Sequence, residues 1–190
     1  MDWIKVGELS AYLMIPIAGV IVLLFVMRKQ GKLKRKNNLL IQFRKTSFKN
    51  EDELSWYIAH DIVGKSGFFD CVVYKVDHGD RVCRQIAAFG PKNPEKMSIL
   101  NPINIPFERG IVGHVAAHGV PERINDTTKD SRYVPDDDVR YSEITVPIFL
   151  KGVVVMIIDS ENKKINGFSE ADGEFFLSVA RITTEKLEQV

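Results

Sequence analysis

Apolar and polar residues follow one another along this chain in three rhythms, each predicting a different kind of element. Residues 9–27 (LSAYLMIPIAGVIVLLFVM) carry no charged side chain. Nineteen helical residues at ~1.5 Å rise reach ~28 Å, close to the ~30 Å hydrocarbon core of a bilayer, so this run predicts one transmembrane helix. Pro16 is tolerated in such a helix. Residues 1–8 would then be a short extracytoplasmic N-terminus. A cleaved signal peptide is disfavoured by the mixed signs of Asp2, Lys5 and Glu8, by the length of the run and by the lack of a small-x-small site after it.

The second rhythm starts at Asn50, which with Glu53 gives an N-cap signal. Leu54, Tyr57, Ile58 and Ile62 then line one face of a helix reaching about residue 63, where Gly64 and Gly67 end it. The third rhythm is that of strands. Residues 69–76 and 82–89 flank a polar turn, 103–106 is short and extended, and 122–126 is extended too. Residues 143–149 and 153–159 form a hairpin around Lys151 and Gly152. Between these strands lie a brief helix at 111–118, set between Gly110 and Gly119, and a polar loop at 127–141 with room for one helical turn. Behind Phe168 and Ser169, helical spacing returns in Phe175, Phe176, Val179, Thr183 and Leu187. The order predicts an α+β domain over 50–190, an antiparallel sheet with terminal helices on one face.

Charge orients the two parts. Residues 28–49 carry nine Lys or Arg and no acid, whereas 50–190 carry sixteen basic against twenty-three acidic residues. The net-acidic body offers no basic face for nucleic-acid phosphates. The basic block reads as a juxtamembrane linker. Arg28, Lys29, Lys32, Lys34, Arg35 and Lys36 follow the apolar run directly, so the positive-inside bias puts the body in the cytoplasm. The expected location is therefore the inner membrane, single-pass, with the basic cluster on anionic headgroups of the inner leaflet. Cys71 and Cys83 are expected as two buried, unbridged thiols. If Val76 faces Val82, about four strand residues, or ~13 Å, separate them, beyond disulfide reach.

The candidate chemistry is sparse. Glu143 and Asp159 share a face if the hairpin loop is the three residues 150–152, and lie on opposite faces if it is Lys151-Gly152 alone. Two opposed carboxylates repel unless a cation or ligand ammonium lies between them. The competing reading has Glu143 capping amides of the 127–141 loop and Asp159 as a strand-end carboxylate. Arg132, with Tyr133 in the same loop, is suited to a carboxylate or phosphate, or to a salt bridge with Asp126 or Asp130. His114 and His118 have the i, i+4 spacing of a metal pair but no third ligand in sequence, so half-exposed flank positions and no metal are expected. The Asp run at 136–138 lacks the spacing of a calcium loop and reads as a solvated face.

Five motifs in order, GIVGHVAAHG (110–119), INDTTKDSRYV (124–134), SEITVPI (142–148), VVVMIIDSE (153–161) and GFSEAD (167–172), resemble the GAF domain, a small-molecule sensor module of bacterial signal-transduction proteins. The resemblance covers about 50–190. It implies a ligand pocket on the sheet face opposite the terminal helices, roofed by the 111–118 helix and the 126–141 loop. Glu143, Asp159, Ser142, Arg132, Tyr133 and Val112 are the residues expected there. It also implies a homodimer through the terminal helices. With no output segment after the last helix, signalling is expected through that dimer or a separate output protein. A GAF scaffold for membrane-proximal dimerisation, sensing nothing, is the alternative. Some GAF proteins reduce free methionine sulfoxide with cysteines in the Gly-x-Cys-Gly turn, the strand before it and the roofing loop. Here the turn is Gly110-Ile111-Val112-Gly113 and none of these segments has a cysteine, so no enzyme is expected. Ile157 also stands where that branch has one of its paired acids. A cyclic-nucleotide branch is matched by Asn162, Lys163, Phe168 and Asp172 but not by Gly173, and a covalent tetrapyrrole would need a roof cysteine. No cofactor is expected.

Overall fold

Asn50 opens the first helix of the folded domain as its spacing from Glu53 predicts, its Oδ1 accepting the Glu53 N–H at 2.9 Å. The computed structural model describes residues 3–91, 93, 97–99, 101–135 and 138–189, without the side chains of 3–18. The chain divides into two units, Met1–Asn38 and Leu39–Val190. Helix α1 is Trp3–Lys45. Within the first unit, Val20, Ile21, Val22, Leu23, Leu24, Phe25, Val26 and Met27 are all exposed. The expected membrane span is not found: among the described residues no helix is long and apolar enough to cross a membrane. Half of the 9–27 run, with the N-terminus expected over 1–8, falls among side chains outside those described, as do Asp136 and Asp137 of the acidic run.

In the second unit the linker expected to 49 is helical to Lys45, and its Leu39, Leu40 and Phe43 pack into the core. Helix α2 (Glu51–Trp56) runs on as a π-helical stretch, Tyr57–Gly64. Strands β1 (Cys71–Asp77), β2 (Val82–Phe89), β3 (Asn104–Pro106), β4 (Glu122–Ile124), β5 (Ser142–Leu150) and β6 (Val153–Asn162) form a six-stranded antiparallel sheet in the order β3-β2-β1-β6-β5-β4. Helix α3 is Gly110–His118, a 3-10 turn spans Thr127–Lys129, and α4 is Glu170–Leu187, opened by a capping box between Ser169 and Asp172.

Burial divides the sheet into two faces. Ile144, Val146, Ile148, Met156 and Ile158 join Ile58, Ile62, Phe176 and Val179 in the larger core under the helices. Tyr74, Val76, Cys83 and Ile157 join Ile111, Val112 and Val115 under α3. The cysteines therefore sit on opposite faces, both free and buried. The first hairpin pairs Val76 with Cys83, one residue from the expected register. Burial pushes both thiols up, Cys83 to about 12.

The second hairpin decides the fate of the two acids. Its turn is the shorter alternative: Leu150 faces Val153 across Lys151 and Gly152, both at positive φ (51° and 81°). That turn alone would set Glu143 and Asp159 back to back. Between Ile148 and Phe149 the register then shifts, Phe149 facing Val154 and Ile148 facing Met156, so Val155 is an extra residue in β6. A one-residue bulge inverts side-chain parity once more. Beyond it Thr145 faces Asp159 and Glu143 faces Glu161, all on the α3 side.

Candidate functional site

The site grows from the ends of β5 and β6, where polar residues replace the apolar ones of the α3-side face. Glu143 is 4% exposed, Asp159 6%, and Thr145 between them is fully buried. Thr145 Oγ1 lies 2.6 Å from Asp159 Oδ1 and 3.1 Å from Glu143 Oε1. Glu143 and Asp159 are also within hydrogen-bonding reach of each other, which requires a proton on one of them. Burial first, then the charges of Asp159 and Glu161, push the Glu143 carboxyl well above its ordinary 4.5, which favours a proton shared by the pair. The Thr145 hydroxyl lies within donating distance of both carboxyls, closer to Asp159, and its one proton serves one of them at a time.

Glu161 extends the pair to a cluster. The Tyr133 hydroxyl donates to Glu161 Oε1 at 3.1 Å and accepts the Arg140 N–H at 3.0 Å. Burial, with the Glu161 charge behind it, raises the Tyr133 phenol. Asp70 secures the end of β6: its Oδ1 accepts the Glu161 N–H at 2.7 Å, and its carbonyl accepts the Ser160 hydroxyl at 2.8 Å. The loop is tied down at its ends as well, Thr127 bonding the Arg140 carbonyl through its hydroxyl and the Tyr141 carbonyl through its N–H.

Of the six residues expected to face a ligand, Glu143, Asp159 and Tyr133 come together. Val112 is buried on α3 among Ile111, Val115 and Ile157. Arg132 is directed elsewhere: its guanidinium pairs with Asp130 Oδ2 at 2.7 Å and Glu122 Oε1 at 2.8 Å, and its pKa is raised further by them. Ser142 belongs to the other face, donating to the Lys164 carbonyl at 2.8 Å and accepting the Gly167 N–H at 3.1 Å, so it staples the loop before α4. Glu161 was missed because the second hairpin strand was expected to stop at Asp159, whereas Thr145 lies within the expected strand and carries no charge to single it out. Period-2 alternation carried two residues further, from Asp159 to Glu161, would have found the third acid. A separate groove of about 250 Å³, lined by Glu122, Arg123, Ile144, Gly173 and Leu177 among others, lies beside α4 and takes no part in this cluster.

A second polar group lies on α3. His114 Nδ1 is 3.4 Å from Glu108 Oε2, and His118 Nε2 is 3.1 Å from Glu108 Oε1. Glu108 is the third group that the histidine pair lacks in sequence.

The profile of the GAF domain family matches residues 49–188, and the chain belongs to that family. Protein YtsP of Bacillus subtilis (strain 168) is 32% identical over 87 residues, which is 46% of this chain and 53% of YtsP, so the match spans about half the length of that relative. Among solved structures, the free methionine-R-sulfoxide reductase of Neisseria meningitidis with its substrate aligns at a TM-score of 0.69 and 22% identity, over 83% of this chain and 90% of that one. The GAF domain of an Acinetobacter phosphoenolpyruvate-protein phosphotransferase aligns at 0.65 and 20% identity, over 85% and 93%. At these identities the likeness is one of fold.

Proposed function

We propose that this GAF domain is a sensor that binds a small molecule bearing an ammonium or comparable cation at Glu143, Asp159 and Glu161. One observation carries the reading: a nine-tenths-buried carboxyl, Glu143, lies among two further carboxyls on one sheet face and is pushed well above its ordinary range. Evicting the shared proton and inserting a cation satisfies both acids at once, whereas an anion would add a like charge. A reductase role is not proposed, because both thiols are buried and raised, far from a nucleophilic thiolate. The charge-free run at 9–27, the exposed apolar row from Val20 to Met27 and the basic residues behind it support a membrane tether with the domain on the cytoplasmic side. Output would then pass through a dimer or a separate protein.

The test is a thermal-shift screen of the full chain against amino acids, amines, nucleotides and small carboxylates. Cationic hits are expected, and Glu143→Gln should weaken them at least tenfold while leaving anionic compounds unaffected. A screen without cationic hits, or equal losses for both classes, would sink the reading.

A further inference from the structure

The turn before α3 brings a carboxylate to two histidines that sequence spacing alone leaves incomplete. Glu108 has φ 65°, in the left-handed region, and its N–H donates to the Gly113 carbonyl at 3.0 Å, which fixes the turn against the first coil of α3. Gly113 is required for that approach, since a Cβ there would collide with the Pro106 carbonyl oxygen. The i, i+4 spacing then puts both imidazoles on the helix side that Glu108 faces, with ring centroids 4.3 Å apart. One atom, Glu108 Oε2, is 3.4 Å from His114 Nδ1 and 3.3 Å from His118 Nε2. Ligands bound at ~2.0–2.1 Å around a tetrahedral ion stand roughly 3.3–3.4 Å apart, so these two separations are already edges of such a polyhedron. All three ligand atoms lie within 4.8 Å of one another.

The far side of His114 carries a further feature of a ligand. Its Nε2 faces Glu122 Oε1 at 3.8 Å, and Glu122 is held in turn by both Arg132 nitrogens at 2.8 and 3.2 Å. A metal-bound imidazole usually gives its other N–H to a carboxylate, which fixes its tautomer and orientation. An exposed Glu–His ion pair needs no such backing carboxylate.

We infer that Glu108, His114 and His118 form a three-ligand site for a borderline divalent metal of the Zn²⁺ type, with Glu122 as the positioning residue for His114. Side-chain exposures of 29% for His114 and 50% for His118 leave a remaining coordination position open to solvent. The site shares no residue with the Glu143 cluster. Bound metal would pin the turn at Glu108 to α3 and, through Glu122 and Arg132, hold the loop that carries Tyr133.

The experiment is titration of the untagged full chain with Zn²⁺ against a chromophoric chelator, and with Co²⁺ read by visible absorption. One equivalent is expected, with nitrogen and oxygen donors giving weak d–d bands and no thiolate charge-transfer band. His114→Ala and His118→Ala should each lower affinity by tenfold or more, with melting temperatures of these metal-free histidine variants unchanged, and Glu122→Gln should lower it by ~10–100-fold. No saturable binding, undiminished binding in the double histidine variant, or a thiolate band placing the metal on Cys71 or Cys83 would each overturn the assignment.

Discussion

Glu143 behaves unlike a salt-bridged surface acid, and the sign of its effect on stability follows. Its folded-state pKa is raised above the unfolded value of about 4.5. Between the two values the folded protein keeps a proton that the unfolded chain has released, so stability falls as pH rises through that window. A salt-bridged carboxylate does the opposite. Glu143→Gln keeps the size and hydrogen-bonding capacity but removes the titration. Its melting temperature should match wild type near pH 4.5 and exceed it increasingly toward pH 8, each ~1 kcal/mol appearing as ~2–4 °C. A parallel pH profile for the two proteins would show that this carboxyl is ionised in the folded state. The same linkage predicts that a cationic ligand releases a proton on binding, seen in calorimetry as a heat that depends on the buffer.

At the scale of elements, the turn before α3 depends on one missing side chain. Gly113→Ala forces α3 away from the Pro106 carbonyl and should cost ~1–3 kcal/mol, measurable by urea unfolding. An unchanged midpoint would mean that the helix shifts without penalty. Most of the elements were legible from periodicity: the two hairpins, the brief helix between Gly110 and Gly119, and the last helix behind Ser169 all stand close to where hydrophobic spacing puts them. Their ends were less so. Ser160, Glu161 and Asn162 look like loop residues by composition, yet they continue β6 because Asp70 and the start of β5 supply partners for their backbone. The Val155 bulge was illegible, since nothing local in VVVMI says which residue will go unpaired. Arg132 was read correctly as a candidate for a salt bridge, but Glu122 as its second partner depends on the fold bringing an edge strand to the loop.

At the scale of the whole molecule, an acidic domain follows a strongly basic segment. Fractionation of cells without detergent tests the proposed tether: the full chain should pellet with membranes and resist a high-salt wash. Recovery in the soluble supernatant would refute the tether and leave the domain's own chemistry untouched. The hairpin also bears on how relatives are compared. Its short turn and its extra residue at Val155 act like two errors in a parity check, each reversing inside and outside and together cancelling. Losing one alone would set Ile158 opposite Thr145 and Ser160 opposite Glu143, and send the Asp159 carboxylate into the apolar layer. A lineage can therefore change the turn length only together with the bulge, and an alignment that slides one gap between them assigns the site to the wrong residue.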